Sequence, residues 1–316
     1  MSPLIPGKTA YLYPGQGSQS IGMGLELAKE FPVAKEIFTI ADSILGYPIS
    51  KFCWEGPSEI LNDTQYTQVA LFVHSFAVWK VLNEKLENFI PRFVAGHSLG
   101  EITALVVSGA ISFEDGLFLV HQRGRLMKQS GELNPGGMAA ILGMEKGTLD
   151  QICREINADG EIVQIANDNC PGQIVISGSK QGIQKALEEA QKRGAKKTIP
   201  LAVSVAAHSP IMQSAKEEFS QIIDQISIHD PLVPIIGNVS HLPLSSVTQI
   251  KNDLKAQLTS PVYWTDSVNY MIGQGVDCFI ELGNGTVLTG LIKRINNQVK
   301  VFSIGAPADF ERLDAV

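Results

Sequence analysis

Residues 92–105 read RFVAGHSLGEITAL: an apolar run, one serine bracketed by glycines, and a helix-like pattern directly after it. Phe93, Val94 and Ala95 have the texture of a buried strand, and Glu101 suits the first turn of a helix, where negative charge opposes the dipole. Gly96-His97-Ser98-Leu99-Gly100 fits G-x-S-x-G, the turn that lifts a serine above the end of a sheet. Side chains at the two glycines would collide in so sharp a corner, and the serine itself takes a strained backbone conformation. The Leu99 amide then stands at a helix N-terminus, well placed to stabilise an oxyanion. A glycine-bracketed helix cap without chemistry is the blander explanation of the pentapeptide alone. The strand before it and the helix after it favour a nucleophile.

The same alternation continues on both sides. TAYLYPGQG (9–17) reads as a strand entering a glycine-rich turn. TQVALFVHSFAVWKVL (67–82) has helical spacing, with Val69, Phe72, Val73 and Phe76 on one face. The segment 112–131 opens with a capping-box pattern, Ser112 to Asp115, and runs on as a helix. This order argues for an α/β core. From about Gly137 the texture changes to strand (138–144), helix (145–156), strand (161–167), strand (173–179), helix (180–194) and strand (196–201). That βαββαβ order is the pattern of a ferredoxin-like unit. We therefore expect a small subdomain at residues 131–200, inserted in a larger core made of 1–130 and 201–316. The core resumes with strands at 234–240 and 276–282 and a helix at 247–258.

Composition bounds the partners. Of 316 residues, 44% are hydrophobic and 18% charged, and the net charge of -7 offers no global attraction to nucleic acid or anionic membrane. Cys53, Cys153, Cys170 and Cys278 are far apart with no C-x-x-C pair, so they read as small buried hydrophobes in a reducing compartment. No signal-peptide pattern opens the sequence, and no stretch approaches the ~18 apolar residues of a membrane span. These features suit a cytoplasmic protein without a zinc site; a monomer with no metal and no bound cofactor is the default expectation, which composition does not itself decide.

A serine hydroxyl needs a base. Of six histidines, His97 adjoins Ser98, so its side chain should diverge; His74 and His121 sit in helical patterns, His229 and His241 in polar connections. His208 follows the alternating, strand-like run in VSVAAHSPIM and precedes Ser209-Pro210. An element end of this kind often carries function, and His208 leads modestly on position. Arg123 shares a helix face with Val120 and Met127. Arginine on an apolar face requires a compensating partner, either a structural carboxylate or a carboxylate of the substrate held bidentately.

Eight ordered blocks carry a resemblance across most of the chain: YPGQGSQSIGMG, DTQYTQVALF, VAGHSLGE, HQRGRLM, ANDNCPGQIVISG, VSVAAHSPIM, QLTSPVYWTDSV and ELGNGTVLTGLIKRI. Together they resemble the malonyl-CoA:acyl-carrier-protein transacylases of fatty acid synthesis and the related acyltransferases of polyketide synthases. The resemblance implies a hydrolase-like α/β core with a parallel-rich sheet and an inserted ferredoxin-like subdomain. It implies that Ser98 is acylated, that His208 is its base, and that a main-chain carbonyl at Gln257 orients the imidazole. Gln16 and Leu99 would supply oxyanion-hole amides, and Arg123 would bind the malonyl carboxylate. Gln68 and Asn167 match polar positions near the pocket and Asn238 begins a loop bordering it, although all three are equally explained as turn or strand-end hydrogen-bonding residues. The substrates would be malonyl-CoA and the phosphopantetheine thiol of acyl carrier protein.

Three departures from the family pattern carry expectations. Ala207 before the histidine leaves room for a branched extender, whereas Leu99 is the type common in malonyl-using members. Asn284 and Thr286 replace a proline and a lysine, which predicts a less rigid loop. The basic clusters at 192–197 and at Lys293-Arg294 are candidate docking points for an acidic carrier protein. A hydrolase on the same scaffold, with water as acceptor, is the competing reading.

Overall fold

Thr9–Tyr13 is buried at all five positions and forms the central strand β1. It is buried throughout rather than alternating, as suits a parallel strand covered on both faces. In the computed structural model, residues 4–87, 89–203 and 205–314 are described. The further strands are β2 (Phe93–Gly96), β3 (Gly136–Leu142), β4 (Val163–Cys170), β5 (Gln173–Ser179) and β6 (Lys197–Pro200). Then follow β7 (Ile235–Ile236), β8 (Pro243–Leu244), β9 (Cys278–Leu282) and β10 (Lys300–Ile304). One sheet runs β10-β9-β1-β2-β7-β8, parallel except for the β7–β8 edge. The other runs β4-β5-β3-β6 and is wholly antiparallel. The chain is thus a mixed α/β fold with a mainly parallel sheet and a separate antiparallel one. Within 136–200 the elements follow the βαββαβ order read from the sequence, with helices Lys146–Ala158 and Lys180–Lys192 packing one apolar face each onto their sheet.

Tyr13 pairs with Gly96, so β1 and β2 end side by side. Their exits, the glycine-rich turn and the serine turn, therefore leave the sheet together at its C-terminal edge, where open α/β sheets place their ligands.

Three elements differ from the sequence reading. The helix Thr64–Lys85, capped by the Asp63 carboxylate on the Gln65 amide, is buried on every side from Thr67 to Val78 rather than on one face. Helices Pro32–Leu45 and Phe113–Leu133 both pack against it, so it runs through the core. The run before His208 is not a strand; its Ser204 lies outside the described residues, and Val205–Ala207 has no regular structure. The expected strand at 234–240 shrinks to Ile235–Ile236 because Asn238, Val239 and Ser240 give their amides to buried carboxylates instead of a neighbouring strand. The Ser112 cap behaves as read, its hydroxyl accepting from the Asp115 amide at 3.0 Å. All four cysteines are free and buried. Among the described residues, no helix is long and apolar enough to cross a membrane.

Candidate active site

The serine turn is shaped by close backbone approach. A Cβ on Gly96 would meet the Gly100 carbonyl, and one on Gly100 would meet the Tyr13 carbonyl. Only glycine fits either position, and the resulting corner puts Ser98 at φ 53, in the left-handed region that other residues avoid. Asn238 holds this strain in place. Its Oδ1 accepts from the Ser98 amide at 2.7 Å, and its Nδ2 donates to the Gly96 carbonyl at 2.7 Å.

Ser98 Oγ lies 2.8 Å from His208 Nε2. The other ring nitrogen faces the carbonyls of Gln257 at 2.8 Å and Ser260 at 3.2 Å. A carbonyl can only accept, so Nδ1 carries the proton and Nε2 is left to accept from the serine. Burial, and then the Arg123 charge, lower His208 to about 3, so the free imidazole base is present at neutral pH.

Arg123 projects from the helix Phe113–Leu133 and is 1% exposed. It donates to Gln68 Oε1 at 2.7 Å, Gln257 Oε1 at 2.8 Å and Ser98 Oγ at 3.0 Å. No ion pair engages it among the described residues, and its Nε has no partner. Of the two partners the sequence left open, a structural carboxylate in direct contact is therefore ruled out. Burial lowers its pKa to about 10, so it stays cationic at neutral pH. In direct contact only with neutral oxygens, and reached by the Glu101 charge from a distance, this buried cation can receive an anion.

Gln257 proves more than a main-chain carbonyl. Its side chain accepts from Arg123, donates to the Ser98 carbonyl at 3.1 Å, and donates to Glu101. Glu101, read as a residue of a first helical turn, is fully buried. It takes the Asn238 amide at 3.1 Å as well as the Gln257 amide. Burial, together with the neighbouring Asp253 carboxylate, pushes it well above the usual carboxylate range. His97 diverges from Ser98 as expected: its Nε2 pairs with Asn169 Oδ1 at 2.8 Å, and its ring meets Trp264 edge-on.

Ser98, His208, Arg123 and His97 line a cleft of about 380 Å³ between the two sheets. Gln16, Leu99, Asn167 and Ala207 line it as well. The Leu99 and Gln16 amides have no acceptor among the described residues, which leaves both N–H groups available at the cleft. Gln68 is buried behind Arg123, with its amide nitrogen on Met127 Sδ at 3.1 Å. Asn167 reaches the cleft from β4, at a bulge opposite Val175. Asn284 does not loosen its loop: its amide donates to the Ser18 carbonyl and, at 2.9 Å, to Ser20 Oγ, pinning the glycine-rich turn. The cluster at 192–197 is partly offset, because Arg193 pairs with Glu155 and Glu189 and Lys192 with Glu189. Arg294 instead donates to Gln173, on the rim of the cleft.

Comparison with known proteins agrees with this arrangement. The model of the acyl transferase domain matches residues 10–304. Over 304 residues the chain is 44% identical to the malonyl CoA-acyl carrier protein transacylase of Bacillus subtilis (strain 168), covering 96% of this chain and 95% of that one. It is similar to an acyl carrier protein S-malonyltransferase from Vibrio cholerae O1 biovar eltor, with a TM-score of 0.94, 40% identity, and coverage of 97% and 99%. It also matches a malonyl-transacylase solved with a type II PKS acyl-carrier protein, at a TM-score of 0.94, 39% identity, and coverage of 98% and 100%. A parallel sheet presenting a serine beside a histidine, with these relatives, defines an acyltransferase, and the chain belongs to the acyl transferase family. Within it, the chain falls in the malonyl CoA-acyl carrier protein transacylase group.

Proposed function

We propose that the protein moves malonyl from CoA to the phosphopantetheine thiol of acyl carrier protein through a malonyl ester of Ser98. The observation that carries this reading is the meeting of three groups: Ser98 Oγ lies 2.8 Å from His208 Nε2 and 3.0 Å from a buried Arg123 that lacks a carboxylate partner. In the first half, His208 Nε2 takes the serine proton as Oγ attacks the thioester carbonyl. The Leu99 and Gln16 amides stabilise the oxyanion. The carbon–sulfur bond breaks, the CoA sulfur takes the proton from His208, and the malonyl carboxylate rests on Arg123. In the second half the carrier thiol gives its proton to His208, attacks the ester, and Ser98 leaves with that proton. An acetyl group would leave the buried arginine unpaired, so Arg123 selects malonyl. Ala207 on the cleft wall leaves space for a branch at the α-carbon, which supports some use of methylmalonyl.

We further infer that the core is hydrolase-like and that residues 131–200 form a ferredoxin-like subdomain. The β4-β5-β3-β6 order and the helices on one side of that sheet support this division. Lys293 and Arg294, exposed beside the cleft, are the favoured contacts for the acidic carrier. Incubation with malonyl-CoA and pantetheinylated carrier protein tests the reading. Malonyl is expected on the carrier thiol in excess over free malonate; malonate as the main product, with or without carrier, would make the protein a hydrolase.

A further inference from the structure

His208 is supplied by an irregular segment and sits at φ 58, a left-handed conformation that a non-glycine residue keeps only when its surroundings impose it. The neighbouring bond from Ser209 Oγ to the Ala206 carbonyl, 2.7 Å, closes the turn on itself. It does not fix the distance from that turn to residues 257–260, whose carbonyls orient the imidazole. One side chain does. Gln164 of β4 donates from a single amide nitrogen to the His208 carbonyl at 2.6 Å and to the Thr259 carbonyl at 3.0 Å. Thr259 lies between the two residues, Gln257 and Ser260, whose carbonyls face His208 Nδ1. An amide nitrogen carries two hydrogens, so it can join two carbonyls that could not bond each other.

We propose that Gln164 is a positioning residue for the reaction: it clamps the His208 turn to the 257–260 turn and thereby sets Nε2 against Ser98 Oγ. It touches no substrate. The small antiparallel sheet thus holds the base through β4, three residues from Asn167 on the same strand. The proposal rests on Ser98 and His208 being the acylation pair.

The test is Gln164→Met, similar in length and without donors, with Gln164→Asn as a second variant whose shorter amide reaches one carbonyl at most. The rate constant for malonyl-serine formation is measured by rapid quench and intact mass, alongside KM for malonyl-CoA and the melting temperature. Misplacing a reacting group by around an ångström costs about 100-fold, so Gln164→Met should slow acylation roughly 10- to 100-fold. KM should stay within about threefold, because Arg123 and Gln68 are untouched, and Gln164→Asn should fall between. A role confined to folding would lower the amplitude of the burst and leave its rate constant alone; that result overturns the proposal. So does a rate constant within twofold of wild type in either folded variant. A wild-type enzyme that forms no ester at Ser98 overturns both this proposal and the function it rests on, whereas a normal wild-type ester with an unaffected variant overturns this proposal alone.

Discussion

Replacing Arg123 by methionine, unbranched and of comparable length, should convert a selective site into an indifferent one. The guanidinium is buried, cationic and bonded to Gln68, Gln257 and Ser98, none of which is charged. The carboxyl that the network does reach, Glu101, stands on the far side of the Gln257 amide. In the proposed reaction a malonyl carboxylate would supply the missing partner, and an uncompensated buried charge costs about 3–5 kcal/mol. That range corresponds to roughly two to four powers of ten in kcat/KM. The substitution also strips a donor from Gln68 and Gln257, at about 1–3 kcal/mol each, but this loss is common to every acyl donor. The ratio of malonyl-CoA to acetyl-CoA therefore isolates the charge. Steady-state acylation with both thioesters should show wild type favouring malonyl by at least ~100-fold, and Arg123→Met bringing the ratio to within about tenfold of one. The main change should be a fall in the malonyl value, with acetyl altered less. A variant that keeps the wild-type ratio while both values drop together would refute the assignment of Arg123 to the substrate carboxylate.

Two further outcomes follow from the geometry. Because burial and Arg123 keep His208 neutral down to about 3, the acylation rate should be flat from pH 8 to pH 5; a half-maximum near the ordinary histidine value, in a pH profile of the pre-steady-state rate, would contradict that environment. Gly100→Ala drives a Cβ into the Tyr13 carbonyl where β1 and β2 end together, so denaturant unfolding should show a loss at or above the usual 1–3 kcal/mol of overpacking, roughly 3 kcal/mol or more, with acylation abolished.

What could be read from the sequence was local. The G-x-S-x-G corner is a steric problem confined to five residues, and the apolar flanks announce strand and helix. Arg123 stands out because one charge interrupts an apolar helical face. The βαββαβ segment was legible because its helices are amphipathic and its strands separated by turn residues. The polar frame behind the site was not legible, since it joins segments distant in sequence. Asn238 grips Ser98 across 140 positions and Gln257 reaches Glu101 across 156. Nothing local distinguishes Glu101 from an ordinary first-turn glutamate, or Gln164 from a polar residue on a strand. The alternation before His208 misled for a related reason: its valines and alanines face the cleft and the core from an irregular loop, with no neighbouring strand to pair with. The helix Thr64–Lys85 was under-read because a spacing rule finds one apolar face and stops, while the surrounding helices cover all of it.

The central claim is that Ser98 carries malonyl between two thiols, and brief exposure to malonyl-CoA followed by intact-protein and peptide mass spectrometry tests it most directly. The account predicts one malonyl adduct, mapped to Ser98, absent from Ser98→Ala and absent when acetyl-CoA replaces malonyl-CoA. An adduct that persists in Ser98→Ala, or release of CoA with no adduct at any time, would contradict it.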